Sequence, residues 1–176
     1  MRKIAYFILA TFLGGVIFTS ISASRAQNQP GGPSELPPAR EIPGITAADR
    51  FPRACIDCHI NYSDMNLDTR ISTLLAQWSE GVEPAVLEAA RSVTDPTIDL
   101  SGVHPRVDAA LNDIPAACLG CHQSDTDDIP PLVPLLHKIH LGSDGVFLSV
   151  FQGECTHCHK LDEATGQWHV PSGPEE

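Results

Sequence analysis

The sequence predicts a mainly α fold with extensive irregular coil and no sizeable sheet. Apolar residues recur at helical spacing in several short segments, and long alternating strand patterns are missing. Between those segments, 15 prolines and 13 glycines in 176 residues break the chain into short pieces.

The chain opens with a targeting segment over residues 1–26. Arg2 and Lys3 give it a positive start, and Ile4 to Phe18 is almost wholly apolar. Ser24-Arg25-Ala26 offers small residues where a signal peptidase cuts, with cleavage before Gln27. The apolar run is short for a membrane span of about 20 residues. Export to the periplasm or another extracytoplasmic space is expected, with membrane contact only if the leader stays attached. No cysteine lies near the cut, which argues against a lipid anchor.

Residues 27–44 follow as a Pro/Gly/Ser-rich linker, extended or disordered, so the folded domain is expected over residues 45–176. Within it, Leu67, Ile71, Leu74, Leu75 and Trp78 predict a helix over 66–79, stopped by Gly81. Pro84 opens a second helix to Val93. His104-Pro105 opens a third, short one through Asn112, and Pro131 to Leu141 is a fourth, ending at Gly142. Leu161 to Val170 reads as a hairpin around Thr165-Gly166.

Composition narrows the function classes. The formal charge is -11; removing the leader's three cations (Arg2, Lys3, Arg25) takes it to about -14. A basic patch is missing, so nucleic acid is excluded as a partner. An acidic surface suits a partner with a basic docking face, or serves solubility alone. With 6 Phe, 2 Tyr and 2 Trp, a core built from side chains alone would be thin.

All six cysteines fall into three copies of C-x-x-C-H: Cys55, Cys58 and His59; Cys118, Cys121 and His122; Cys155, Cys158 and His159. The pattern reads as attachment of c-type haem. Two thiols three positions apart reach the two vinyl groups of one porphyrin and form thioethers. The next histidine is then held under the iron as proximal ligand. Disulfides would leave the three histidines unexplained. Zinc sites of paired C-x-x-C units do not demand a histidine after each pair, and three pairs are an odd number. A thioredoxin-like motif needs a βαβ context. Three haem c groups are therefore expected. The gaps of 58 and 32 residues between motifs exclude a regular tandem repeat.

An iron that only carries electrons needs a sixth ligand, usually His or Met. Beyond the leader the chain has one methionine, Met65, and five histidines outside the proximal positions. His137 and His140 lie three apart on one helix face, with apolar Leu136, Ile139 and Leu141 beside them, and are candidates for two different irons. His104, fixed by Pro105, is the third candidate. His104 is expected to serve the first or second haem, with His137 and His140 divided between the third and a neighbour. His169, near the C-terminus, is a reserve. His157 is tied between two cysteines, and Met65 lies too close after His59 to cross the haem plane; it is expected in the core. Phe147, Phe151 and Trp168 pack on haem edges or in the core.

With three C-x-x-C-H motifs and the segment His137-Lys138-Ile139-His140 upstream of the last, the chain resembles multihaem c-type cytochromes of bacterial periplasms and outer surfaces. The resemblance implies a haem-organised fold, bis-histidine low-spin irons and electron relay between other cytochromes or redox proteins. No catalytic residue is expected. The alternative is a small multihaem reductase, or a subunit of one, with an open iron position; a zinc or disulfide module is the remaining reading.

Overall fold

In the computed structural model, residues 38–123, 128–142 and 145–175 are described. The expected leader and most of the expected linker lie outside them. The elements below all belong to one unit, Ala39–Glu176.

Helical turns dominate, separated by irregular chain. α1 is Cys55–Cys58, α2 Ile71–Trp78, α3 Pro84–Val93, α4 Leu132–His140 and α5 Val146–Val150. Short 3-10 segments cover Ser63–Met65, Asp108–Asn112, Ala116–Gly120 and Cys155–His157. Two small antiparallel ladders complete it: β1 (Asn61–Tyr62) with β2 (Leu67–Asp68), and β3 (Lys160–Asp162) with β4 (Gln167–His169). No larger sheet forms among the described residues, and no helix there is long and apolar enough to cross a membrane.

The expected second and fourth helices correspond to α3 and α4, the latter one residue shorter at each end. Proline at the start of α3 fixes φ where no N–H is needed. The expected hairpin is β3–β4: the Asp162 carboxylate accepts the Ala164 and Thr165 N–H groups, and Gly166 takes φ +70° to close the turn. A turn over residues 42–47 spans the expected domain start at Ile45, the Ile42 carbonyl accepting from Ile45, Thr46 and Ala47.

Two expectations are corrected. The first helix begins at Ile71 rather than near Asn66. Asn66 is left-handed (φ 51°), which turns Leu67 and Asp68 back to pair with Tyr62 and Asn61. The Asp68 carboxylate then accepts from the Arg70 N–H and the Thr73 hydroxyl, marking the new helix start. The third helix is only the 3-10 segment Asp108–Asn112. His104 lies ahead of it in extended chain, where its N–H donates to the Trp78 carbonyl and Val82 N–H donates to Gly102. Gly102 reaches that geometry with φ +74°. α5 carries no strong sequence signal, because five residues show less than two helical turns of periodicity.

The protein core is thin. α3 and α4 meet through Ala89, Ala90 and Leu135, with Val93, Leu100 and Ile139 packed around them. The small alanines let the helices approach. Elsewhere Ala54, Ile56 and Ile114 are buried, and no large side chain among the described residues is fully enclosed. The C-terminal segment acts as a strap. Gly173 and Ile114 exchange backbone hydrogen bonds, Glu175 N–H donates to Leu111, and the Glu175 carboxylate accepts the Ser72 N–H at 3.1 Å. That last bond satisfies a free donor in the first turn of α2.

Candidate metal centres

The three C-x-x-C-H motifs share one backbone hydrogen bond. In each, the histidine N–H donates to the carbonyl of the first cysteine: His59 to Cys55 at 2.8 Å, His122 to Cys118 at 3.0 Å and His159 to Cys155 at 2.9 Å. Each motif is thus a single helical turn. The turn is α-helical in the first motif and 3-10 in the other two, and in each it brings the histidine backbone back to the first cysteine. The six thiols are not bonded to one another. Burial, and then the neighbouring Cys158 thiol, push Cys55 and Cys58 up to about 11. Neither is a thiolate at neutral pH, which disfavours a role as nucleophile in this environment.

The histidines come together in pairs. His59 faces His140 with ring centroids 6.1 Å apart. His104 faces His122 at 5.9 Å, and His137 faces His159 at 6.0 Å. Every pair joins one motif histidine to one of His104, His137 and His140. The rings are nearly perpendicular in the first pair (80°) and nearly parallel in the other two (6° and 14°).

The ring nitrogens are oriented by backbone. His59 Nδ1 meets the Thr69 carbonyl at 2.7 Å and His122 Nδ1 that of Pro130 at 2.6 Å. His104 Nδ1 meets the Pro105 carbonyl at 2.7 Å and His140 Nδ1 that of Leu136 at 2.8 Å. An Nδ1–H donated to a carbonyl leaves Nε2 with its lone pair, the arrangement that orients metal-binding imidazoles. Burial pulls His59 and His104 below the ordinary histidine range, which favours the neutral, ligating form.

These elements also explain where each ring comes from. α4 supplies His137 and His140 from its last turn. The β1–β2 ladder brings Thr69 beside His59, and the Tyr62 hydroxyl donates to the Cys58 carbonyl. The His122 carbonyl accepts the Leu132 N–H, joining the second motif to the start of α4. Clefts of about 190 and 370 Å³ have His59 and His159 in their respective walls.

Other residues fall outside the pairs. His169 on β4 is exposed. Met65, expected in the core, is 64% exposed instead, because the 3-10 turn after β1 directs it outward. Trp168 is also exposed. Phe147 and Phe151 join Phe51 around His157, whose ring lies 4.7 Å from that of Phe51. His157 is buried, and its Nδ1 has no hydrogen-bond partner among the described residues. Sequence reasoning misses Phe51. Nothing local marks it, since its partners lie about a hundred residues away.

A search of protein-family models finds no match to the chain, and neither the curated proteins nor the solved structures yield one.

Proposed function

We propose that the chain is a trihaem c-type cytochrome that carries electrons between redox partners outside the cytoplasm. The observation that carries this reading is the pairing of all three motif histidines with a second imidazole at about 6 Å. Two imidazoles on opposite sides of one metal, each bonded at about 2 Å, put their ring centres about 6 Å apart once the nitrogen-to-centre distances are added. The donor set fits the group as well. Among the described residues no three of His, Cys, Asp and Glu converge as a metal site, whereas a porphyrin brings four nitrogens and asks the protein for two axial ligands.

In this reading Cys55 and Cys58, Cys118 and Cys121, and Cys155 and Cys158 are thioethers to haem, and their free thiols stand in for those sulfurs. His59, His122 and His159 are proximal ligands; His140, His104 and His137 are the respective distal ligands. The haem supplies a reversible one-electron iron couple. Histidine on both faces favours a lower potential than methionine would, and the acidic surface further favours the oxidised, more positive iron. A reductase would need an iron with an open position, and here each motif histidine already faces a second one.

Production with a cytochrome-maturation system tests the proposal. Intact mass should rise by three haems, the spectrum should show low-spin bands, and the reduced protein should leave carbon monoxide unbound. A colourless product would sink the reading. Stoichiometric carbon monoxide binding would move it to the reductase.

A further inference from the structure

We infer that the first and third motifs, although not neighbours in sequence, hold the most strongly coupled pair of haem centres, with the centre of the second motif coupled more weakly. This wiring rests on the trihaem reading and goes beyond it.

Several contacts join the first and third motifs. His137 and His140 lie three residues apart on α4, about 4.5 Å along its axis and about 60° around it. One faces His159 and the other His59. Phe147 touches His140 at 6.0 Å and His157 at 6.3 Å, and so spans from a ligand of the first centre into the third motif. Phe51, four residues ahead of Cys55, packs on the same His157. Lys160, adjacent to His159, pairs with Asp49 at 3.0 Å, and Arg40 pairs with Glu154.

The second centre is held differently. The His104 N–H is bonded to the Trp78 carbonyl at the end of α2, and His122 is bonded to the start of α4 through Leu132 and Pro130. From Leu132 to His137 and His140 the helix rises about 7.5 and 12 Å. The paired ligands therefore sit at the opposite end of α4 from the second motif. Between the first and third centres, one iron loses the electron that the other gains. Two such neighbouring centres also resist being reduced together, because each added electron repels the other.

Ring orientation gives each centre a signature. Parallel imidazole planes separate the two iron d orbitals that interact with them, and crossed planes leave those orbitals nearly degenerate. The oxidised first centre should therefore give a paramagnetic resonance signal of large anisotropy, and the other two should give rhombic signals. In the fully oxidised protein, we expect the large-anisotropy signal and one rhombic signal to be broadened and to relax fast, with the second rhombic signal sharper. Three sharp signals, or broadening of both rhombic signals beside a sharp anisotropic one, would overturn the pairing. A potentiometric titration of His104→Met gives an independent check: one of three reduction steps should shift and two should hold. Movement of more than one step counts against the inference. Haem count by mass is read first, since fewer than three haems removes the trihaem reading rather than the wiring.

Discussion

His140 donates its Nδ1–H to the Leu136 carbonyl one helical turn earlier, so its ring orientation is set by α4 itself. In the trihaem reading, replacing it with alanine would remove the sixth ligand of the first iron and leave Cys55, Cys58 and His59 untouched. His140→Ala should therefore keep three haems by mass, acquire a high-spin band and bind one equivalent of carbon monoxide when reduced. Retention of three closed low-spin irons would count against His140 as the distal ligand. The six imidazoles were legible in the sequence because the motifs fix three and the histidine supply offers few others. Their carbonyl partners were not, because Thr69 and Pro130 contribute only backbone oxygen, which any residue could provide. Asp68 shows the same limit. Its carboxyl is held well below the usual range by the Arg70 side chain and the Arg70 and Thr73 donors. A depressed folded value means that the stabilisation is complete above the unfolded value of about 4 and fades as pH falls towards the folded one. Asp68→Asn should thus lower the unfolding midpoint at pH 7, with the difference from wild type unchanged down to about pH 4 and shrinking below it.

At the scale of elements, α3 and α4 were readable because each carries more than two turns of apolar spacing with proline at its boundary. The start of α2 was not, because Leu67 fits the helical spacing while its backbone serves the ladder with Tyr62. The C-terminal strap gave no signal at all, since Gly173 and Glu175 act through single long-range bonds. Those bonds have consequences for α2. Glu175→Ala leaves the Ser72 N–H without its carboxylate, and should lower stability by about 0.5–2 kcal/mol, the range for loss of an N-terminal cap. The α3–α4 contact should be more sensitive. Leu135→Ala opens space against Ala89 and Ala90, which are too small to close it, and should cost about 2–5 kcal/mol. Urea unfolding of the haem-loaded protein, followed by far-ultraviolet circular dichroism, measures both, and an equal or reversed ranking would contradict the core assignment.

At the scale of the whole molecule, the chain's own side chains bury little. Among the described residues the enclosed apolar ones are three alanines with Ile56, Ile114 and Leu135, and none of the larger ones is fully covered. Exposed apolar side chains such as Val133, Leu141, Val146 and Val150 line α4 and α5, the elements nearest the paired histidines. Folding has to offset a conformational entropy of roughly 1–2 kcal/mol for each ordered backbone residue, which a core of this size does not supply. Each proposed haem would add a large apolar surface together with four attachment points that tie distant segments together. His59 would be joined in this way to His140 and His104 to His122, across intervals that the short helices and the two- and three-residue ladders do not span alone. Metal-dependent small domains behave similarly, with ligand binding contributing much of the folding free energy. The six-fold Cys→Ala variant, which cannot attach haem, should therefore give a largely disordered circular dichroism spectrum and rapid amide exchange throughout α3 and α4. A cooperatively folded variant with protected α3 and α4 amides would show instead that the helices and the strap suffice, and that the histidine pairs are a consequence of the fold rather than its organising element.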